Sequence, residues 1–237
     1  MQIGLTKKLS DYTEIKIAPA DASTDPLFSW SANLITIHRR KTIICMNDAS
    51  RFAFILHGVK AADVKRLDQL MINGIRACMA LEAVAPEIVE QYLLEGSRNP
   101  TAPEVSYTKT SSRKAVAALN QVCMYVENMA MRDPDAFPSQ LLGVALNRIE
   151  FFVDKNTMDN PYDLFMERLK ERYGDPVVRS DAAELTVALD LDDRQAVRRL
   201  LVPTFYTFAE FHQVIQSVYR WQDYHMHEFI LEEDEDG

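Results

Sequence analysis

Glycine and cysteine are scarce in this sequence, and neither residue forms a motif. The seven glycines among 237 residues are scattered along the chain, so no Gly-rich loop of the kind that cradles phosphates is present. The three cysteines, Cys45, Cys78 and Cys123, are far apart and show no Cys-x-x-Cys or Cys/His ligand spacing. Because each lies in an apolar run, we expect small buried side chains in a reducing compartment rather than disulfides or metal ligands.

Long apolar runs and catalytic signatures are also missing. No stretch approaches the ~20 apolar residues that cross a bilayer, and the N-terminus has no apolar core of signal-peptide length. We therefore expect a cytoplasmic protein that has no membrane partner. Ser29, Ser31 and Ser50 lie outside any Gly-x-Ser-x-Gly context, and Cys45 and Cys123 have no base partner at the level of the sequence. No catalytic residue is predicted.

The charge is negative overall and unevenly distributed. The formal net charge is −9, but residues 1–60 carry eight Lys and Arg against five Asp and Glu, which gives +3. The remaining residues carry 18 against 30, which gives −12. This distribution argues against general coating of nucleic acid and leaves room for a local anion site near the N-terminus.

Three consecutive apolar runs with strand character lie between Asp25 and Gly58. Asn33–Ile37 and Thr42–Met46 are rich in β-branched residues and are separated by a short polar turn, a pattern that predicts a β-hairpin. Phe52–Leu56 follows a second turn, so the sequence predicts a meander of three antiparallel strands. Both faces of this third run are apolar, which indicates either a sheet covered on both sides or a central strand.

The period of the apolar residues changes to 3.6 from Ala61, which predicts helices packed against this sheet. Breaks at proline and glycine separate the later helices, and two of these are expected at Ser139–Asn147 and Tyr162–Tyr173. A linker is predicted at Val177–Ala183. The sequence therefore predicts an α+β fold with an N-terminal domain of residues 1–173, in which helices pack on an antiparallel sheet.

A smaller C-terminal unit, residues 182–237, is predicted as a β-hairpin, a helix and a strand. Leu185–Leu189 and Gln195–Val202 alternate as strands on either side of an acidic turn. Thr207 and Glu210 have the spacing of a capping box, in which each side chain bonds the free backbone N–H of the other residue. Tyr224–Ile230 is predicted to form the last strand.

The C-terminal stretch RRLLVPTFYTFAEFHQVIQSVYRWQDYHMHEF, Arg198–Phe229, resembles the start of the plasmid pRiA4b ORF-3-like family. The matching positions are Pro203, Thr207, Phe208, His212, Val214, Ile215, Gln216, Tyr219, Trp221, His225, His227 and Phe229. Members of that family occur on plasmids and as passengers of transposons. They continue into a second half with an Asp-Phe-Gly-Asp-x-Trp-like segment, so the resemblance implies a partial domain here.

The N-terminal part resembles an uncharacterised bacterial domain family. The resemblance runs from LTKKL, Leu5–Leu9, through Asp25–Gly58 to YTKTSSRKAVAALN, Tyr107–Asn120. That family often carries Asn where His38 stands. The resemblance supports the α+β fold and implies no particular activity.

The turn between the first two predicted strands carries the candidate anion-binding residues Arg39, Arg40 and Lys41. Basic residues clustered at the end of a sheet can bind a phosphate or a nucleic-acid backbone. Lys7, Lys8, Arg51 and Lys109 are candidate neighbours, with Trp30 and Tyr107 as candidate stacking faces. The alternative is a solvated turn whose charges protect the sheet from edge-to-edge pairing.

Three histidines of the C-terminal unit are candidate metal ligands. His225 and His227 are two residues apart, so on a strand both imidazoles would lie on one face. His212, on the preceding helix, could supply a third ligand. The alternative is that these rings pack around Trp221 and the helix.

Two functions remain open at this point. The first is a non-enzymatic interaction module of a plasmid- or transposon-associated protein, with another protein or a nucleic acid as its partner. The second is a metal-dependent hydrolase or nuclease that uses His212, His225 and His227. The sequence does not assign a cofactor, a substrate or an oligomeric state.

Overall fold

The computed structural model describes residues 1–132, 140–152, 157–179, 181–191, 194–204, 206–221, 224 and 226–230. The chain divides into two compact units, Met1–Arg179 and Ser180–Gly237, which we call unit 1 and unit 2. Within the described ranges, no helix is both long enough and apolar enough to cross a bilayer.

The strands of unit 1 are β1 Gln2–Leu5, β2 Ser29–Ile37, β3 Arg40–Asn47, β4 Ala53–His57, β5 Ser106–Lys109, β6 Phe151–Phe152 and β7 Met158–Asp159. Its helices are α1 Lys7–Thr13, α2 Ala61–Val64, α3 Leu67–Leu81, α4 Pro86–Glu95, α5 Arg113–Arg132, α6 Gln140–Leu146 and α7 Pro161–Tyr173. A single 3-10 turn, Pro26–Phe28, leads into β2. The α+β class predicted from the sequence is confirmed.

The main sheet has five strands in the order β4-β3-β2-β1-β5. The predicted antiparallel meander is present as β2, β3 and β4. The sheet as a whole is mixed, because β1 lies between β2 and β5 and runs parallel to both. The third predicted strand, β4, is at the edge of the sheet and not at its centre.

Helices cover both faces of this sheet, which explains why β4 is apolar on both sides. One face packs against α1, α3, α4 and α7 through a core that includes Trp30, Leu34, Cys45, Phe54, Met71, Tyr92 and Phe165. The other face packs against α5 and α6 through Ile35, Ile37, Ile44, Met46, Leu119, Val122 and Val126. All three cysteines are buried and free, as expected.

Aromatic side chains form the centre of the larger core. The ring of Phe165 stacks on Phe52, with centroids 4.5 Å apart and an interplanar angle of 7°. Phe165 also meets Trp30 and Tyr92 edge-on, at 6.2 and 5.9 Å. The Tyr92 hydroxyl accepts a hydrogen bond from the indole N–H of Trp30 and donates one to the Leu27 carbonyl. The polar atoms of these buried rings are therefore paired, as burial requires.

Single residues protect both edges of the sheet. At the β4 edge, the Asn147 amide accepts from the Ala53 backbone N–H at 2.8 Å and donates to its carbonyl at 3.1 Å. At the β5 edge, Ala18 bonds Tyr107 and Lys109 through its backbone. These contacts satisfy backbone groups that an open edge would offer to another chain.

The described residues of unit 2 form a long hairpin and one helix. The strands β8 Ala182–Leu191 and β9 Arg194–Pro203 pair antiparallel, and α8 spans Phe208–Tyr219. The Tyr219 hydroxyl contacts the hairpin carbonyls of Val187 and Ala196 at 3.0 and 2.8 Å. The predicted capping box of Thr207 and Glu210 is present at the start of α8.

The strand predicted at Tyr224–Ile230 is not found, since no strand forms over residues 224 and 226–230. The rings of Phe229 and His227 contact α8 instead. The ring of Phe229 lies 4.9 Å from that of Phe208 and 6.1 Å from that of Phe211. Alternating apolar residues favour a strand only where a neighbouring strand is available to pair with it.

Candidate functional site: a basic hairpin tip and a histidine pair

The turn between β2 and β3 is a tight two-residue connection. Its central residues, His38 and Arg39, have φ angles of 48° and 63°, and Ile37 pairs with Arg40 across the hairpin. Positive φ at both central positions is typical of a type I′ turn, whose twist matches that of the flanking strands. The side chains of Arg39, Arg40 and Lys41 are all exposed.

The hairpin tip, which we define as His38–Lys41, projects beyond the neighbouring strands. The last residue of β1, Leu5, pairs with Ala32, and β2 continues from there to Ile37. On the other side, the last residue of β4, His57, pairs with Thr42. Among the described residues, no strand pairs with the outer flanks of the tip, although the Lys41 carbonyl accepts a hydrogen bond from the backbone N–H of Val59 at 2.9 Å.

The charges around the tip are mainly positive. The pKa of His57 is lowered by partial burial and then by the positive charges of Arg40 and His38. Lys41 extends over the ring of Tyr12 in α1, with its ammonium nitrogen 5.8 Å from the ring centroid. Within the part of the chain that the structure describes, no carboxylate forms an ion pair with Arg39, Arg40 or Lys41.

Several of the residues expected near the tip lie elsewhere. Arg51 follows the far end of β3, where its guanidinium lies 3.9 Å from the ring centroid of Phe151. Lys109 pairs with Leu5, at the level of Ala32 on β2, and is therefore well short of the tip. Helix α1, which begins with Lys7 and Lys8, approaches the tip through Tyr12.

The two expected stacking faces are also not available at the tip. Trp30 is completely buried and engaged with Tyr92, so it cannot stack on a nucleic-acid base. Tyr107 is half-buried on β5, beyond β1, and its pKa is raised by burial and by Asp68. The sequence predicted a strand from Asn33 onwards, whereas β2 begins at Ser29 and includes Trp30, and the sequence could not show which face of the sheet each ring occupies.

The histidines of unit 2 are only partly described. The rings of His212 and His227 stack face to face, with centroids 3.4 Å apart and an interplanar angle of 8°. Parallel rings direct their lone pairs along parallel lines, whereas two ligands of one metal ion must point at a shared centre. His212 also lies 3.2 Å from the Gln216 amide nitrogen through its Nε2 atom.

The third predicted ligand, His225, lies outside the described residues. Among the described residues, no group of three or more His, Cys, Asp and Glu side chains could hold a metal ion. The metal site therefore stays a prediction, and the His212–His227 stack is the part of it that the structure places.

Sequence reasoning missed a polar cluster at the end of the sheet opposite the hairpin tip. The Asp48 carboxylate accepts hydrogen bonds from the hydroxyls of Ser29, Ser31 and Ser111 at 2.9, 2.6 and 2.9 Å. A signal was present, because Ser29 and Ser31 are two residues apart and share a face of β2 that is otherwise apolar at Ile35 and Ile37. The approach of Ser111 from a separate loop has no local signal.

Comparison with known proteins identifies a family for each unit. Residues 2–164 match the family described as domain of unknown function DUF6933. The chain belongs to this family. Residues 181–237 match the plasmid pRiA4b ORF-3-like protein family, which confirms the resemblance of the C-terminal stretch. None of the curated proteins matches the chain.

Proposed function

We propose that this protein is a non-enzymatic, plasmid-associated interaction module whose hairpin tip contacts the phosphate backbone of a nucleic acid. The observation that carries this proposal is the set of three exposed cations, Arg39, Arg40 and Lys41, on a tip without described ion-pair partners. The plasmid association rests on the name of the family matched by residues 181–237.

The shape of the tip supports contact with a groove or a backbone. A two-residue turn on a hairpin that extends past both neighbouring strands can approach a duplex without steric obstruction from β1 or β4. The extended backbone of β3 places Arg40 and Lys41 on opposite faces of the hairpin. The cations can therefore reach phosphates on two sides.

The charge of the remainder of the chain limits this contact to a local one. Residues 61–237 carry a net charge of −12, from 18 basic and 30 acidic residues, and would be repelled by a polyanion. Weak binding with a small number of phosphate contacts is therefore expected. Three contacts predict a slope of about −2.7 for the logarithm of the binding constant against that of the salt concentration.

Fluorescence anisotropy with a labelled duplex of about 20 base pairs, titrated at several salt concentrations, tests this slope. The Arg39→Asn/Arg40→Gln variant removes two charges, and Asn tolerates the positive φ of position 39. Its slope should fall to about −0.9, which corresponds to one remaining contact.

The matched control is Lys16→Ala/Arg132→Ala, which removes the same charge from exposed positions outside the tip. It should bind as the wild type does. Absence of salt-dependent binding by the wild type, or equal loss in both double variants, would refute the role of the tip.

The rival metal-dependent hydrolase needs a separate measurement. Elemental analysis of the purified protein tests whether a metal is bound. A thermal-shift assay with added Zn²⁺ or Mn²⁺ tests the same hypothesis, because an ion that binds the folded state raises the melting temperature. A stabilisation that is lost in His212→Ala and in His227→Ala would favour that rival over the interaction module.

A further inference from the structure

A cavity of about 440 Å³ opens at the end of the sheet opposite the hairpin tip. It lies where β2 begins, β3 ends and helix α5 begins, and polar side chains line much of it. Its walls include Gln2, Ser29, Asp48, Arg51, Ser111, Ser112, Lys114 and Phe151. A volume of this size is typical of pockets for small organic ligands.

The floor of the cavity is a prearranged set of hydroxyl groups around one carboxylate. Oδ2 of Asp48 accepts from Ser29 and Ser111, and Oδ1 accepts from Ser31. Ser29 and Ser111 line the cavity, and each gives its single hydrogen to Asp48, so their hydroxyl oxygens can accept hydrogen bonds from a ligand. The Ser29 oxygen also accepts a long hydrogen bond of 3.4 Å from the Gln2 amide, and Ser31 is completely buried and does not line the cavity. Ser29 and Ser31 are both buried, which is costly on a core-facing strand unless the groups are paired.

A close crossing of two backbones brings Ser111 to this floor. Gly4 pairs with Ser31 in the sheet, and a Cβ atom at position 4 would lie only 2.8 Å from the Cα of Thr110. Glycine therefore permits the chain after β5 to pass directly over β1. The crossing ends at Ser112, whose hydroxyl accepts from the backbone N–H of Ala115 at the start of α5.

Two cations line the same cavity. Arg51 has a φ of 65°, which is unusual for a residue with a side chain, and it is held between the Phe151 ring and the Gln121 amide. Lys114 lies in the first turn of α5, beside backbone N–H groups that have no intrahelical acceptor. Neither cation forms an ion pair within the described ranges.

The acidic residues of the cavity are held in place by hydrogen bonds within the protein. The Asp48 carboxylate is engaged by the three serine hydroxyls. Asp21, on the opposite wall, accepts from the Ser23 hydroxyl and backbone N–H at 2.6 and 3.0 Å, and these bonds lower its pKa. Both carboxylates are therefore hydrogen-bonded by groups of the protein itself.

We propose that this cavity binds a small phosphomonoester that also carries hydroxyl groups, such as a sugar phosphate or a nucleoside monophosphate. The phosphate lies between Arg51 and Lys114 at the start of α5, where charge and N–H groups favour an anion. The ligand hydroxyls lie on the floor, where they donate to the serine oxygens around Asp48. This site is separate from the hairpin tip and does not depend on the function proposed for it.

Isothermal titration calorimetry of the full chain with ribose 5-phosphate, adenosine monophosphate, inorganic phosphate and ribose tests the proposal. One or both of the phosphorylated, hydroxyl-bearing ligands should bind at least about tenfold more tightly than phosphate or ribose alone. Lys114→Gln should weaken their binding about tenfold, because it removes one charged contact and leaves an exposed position polar. Failure of all four probes to bind at millimolar concentration would overturn the proposal.

Two further variants separate the parts of the site. Asp48→Asn should weaken binding of ribose 5-phosphate and should not weaken that of inorganic phosphate, since it disturbs the hydroxyl floor and removes a negative charge from the cavity. Arg39→Asn/Arg40→Gln should bind every probe as the wild type does, so this site can fail or succeed independently of the hairpin tip. Wild-type binding by Lys114→Gln and by Asp48→Asn alike would also overturn the proposal.

Discussion

Units 1 and 2 bury their apolar side chains to very different extents. Unit 1 encloses complete aromatic rings, among them Trp30, Phe52 and Phe165, between a sheet and helices on both of its faces. Among the described residues of unit 2, the buried class contains Val202 and His212, while Leu201 is 75% exposed. Packing holds unit 1 together, whereas unit 2 depends on strand pairing and a helix cap.

The largest expected effect tests the packing of unit 1. Phe165→Ala removes a completely buried ring that contacts three other aromatic rings, and should lower the free energy of unfolding by about 4 kcal/mol. Urea unfolding followed by Trp30 fluorescence in a Trp221→Phe background measures this change, since the chain has two tryptophans.

The matched substitution in unit 2 is Phe208→Ala. This ring is half exposed and contacts Phe229, so the loss should be smaller than that in unit 1. Hydrogen exchange of α8 reports the effect. Equal losses of stability for Phe165→Ala and Phe208→Ala would contradict the conclusion that packing contributes more to unit 1 than to unit 2.

The second prediction concerns the protected edge of unit 1. Asn147→Ala leaves the N–H and C=O of Ala53 without their partner in a buried site, and should cost about 3 kcal/mol. Exchange of the Ala53 amide hydrogen should accelerate. Asn147→Asp keeps the acceptor and loses the donor, so an intermediate loss of stability is expected. Unchanged stability in both variants would show that Asn147 does not stabilise this edge of the sheet.

The third prediction concerns the cap of unit 2. Thr207→Ala removes the hydroxyl that accepts from the Glu210 backbone N–H and should destabilise α8 by about 1 kcal/mol. Amide exchange in the first turn of α8 should accelerate about fivefold. Thr207→Ser retains the hydroxyl, so the amides of the first turn should exchange at the wild-type rate in this variant. If they exchange as fast as in Thr207→Ala, loss of the capping hydrogen bond is not the cause of the acceleration.

The smallest expected effect is at the surface of unit 1. Arg172 and the Tyr173 hydroxyl donate hydrogen bonds to Glu95, and these contacts lower the pKa of the Glu95 carboxyl below its ordinary value. A carboxylate with a depressed folded-state pKa stabilises the fold above its unfolded pKa, and the contribution disappears as the pH falls through the folded value. Glu95→Gln should therefore lower the melting temperature slightly at pH 7 and by less at pH 3, and a pH-independent difference would contradict this assignment.

Local signals predicted the parts of the fold that are formed by neighbours in sequence. The β2–β4 meander and the capping box at Thr207 and Glu210 are present as the sequence indicated. The strand expected at Tyr224–Ile230 was wrong, because Phe229 packs on α8 and no strand pairs with the described residues 224 and 226–230. Alternation of apolar and polar residues shows which side chains would share a face of a strand. It does not show whether another strand is in place to form the backbone hydrogen bonds.

The sequence by itself determined the α+β class, the hairpin with its basic tip, and the free buried cysteines, because these depend on residues close in the chain. Only the tertiary structure decided that β1 enters the sheet between β2 and β5 and that Arg51 lies at the far end from the tip. It also decided that Ser111 joins Ser29, Ser31 and Asp48 in one hydrogen-bonded cluster beside a cavity. These arrangements depend on contacts between residues distant in sequence, whose geometry is set by the packing of the whole unit and leaves no local pattern.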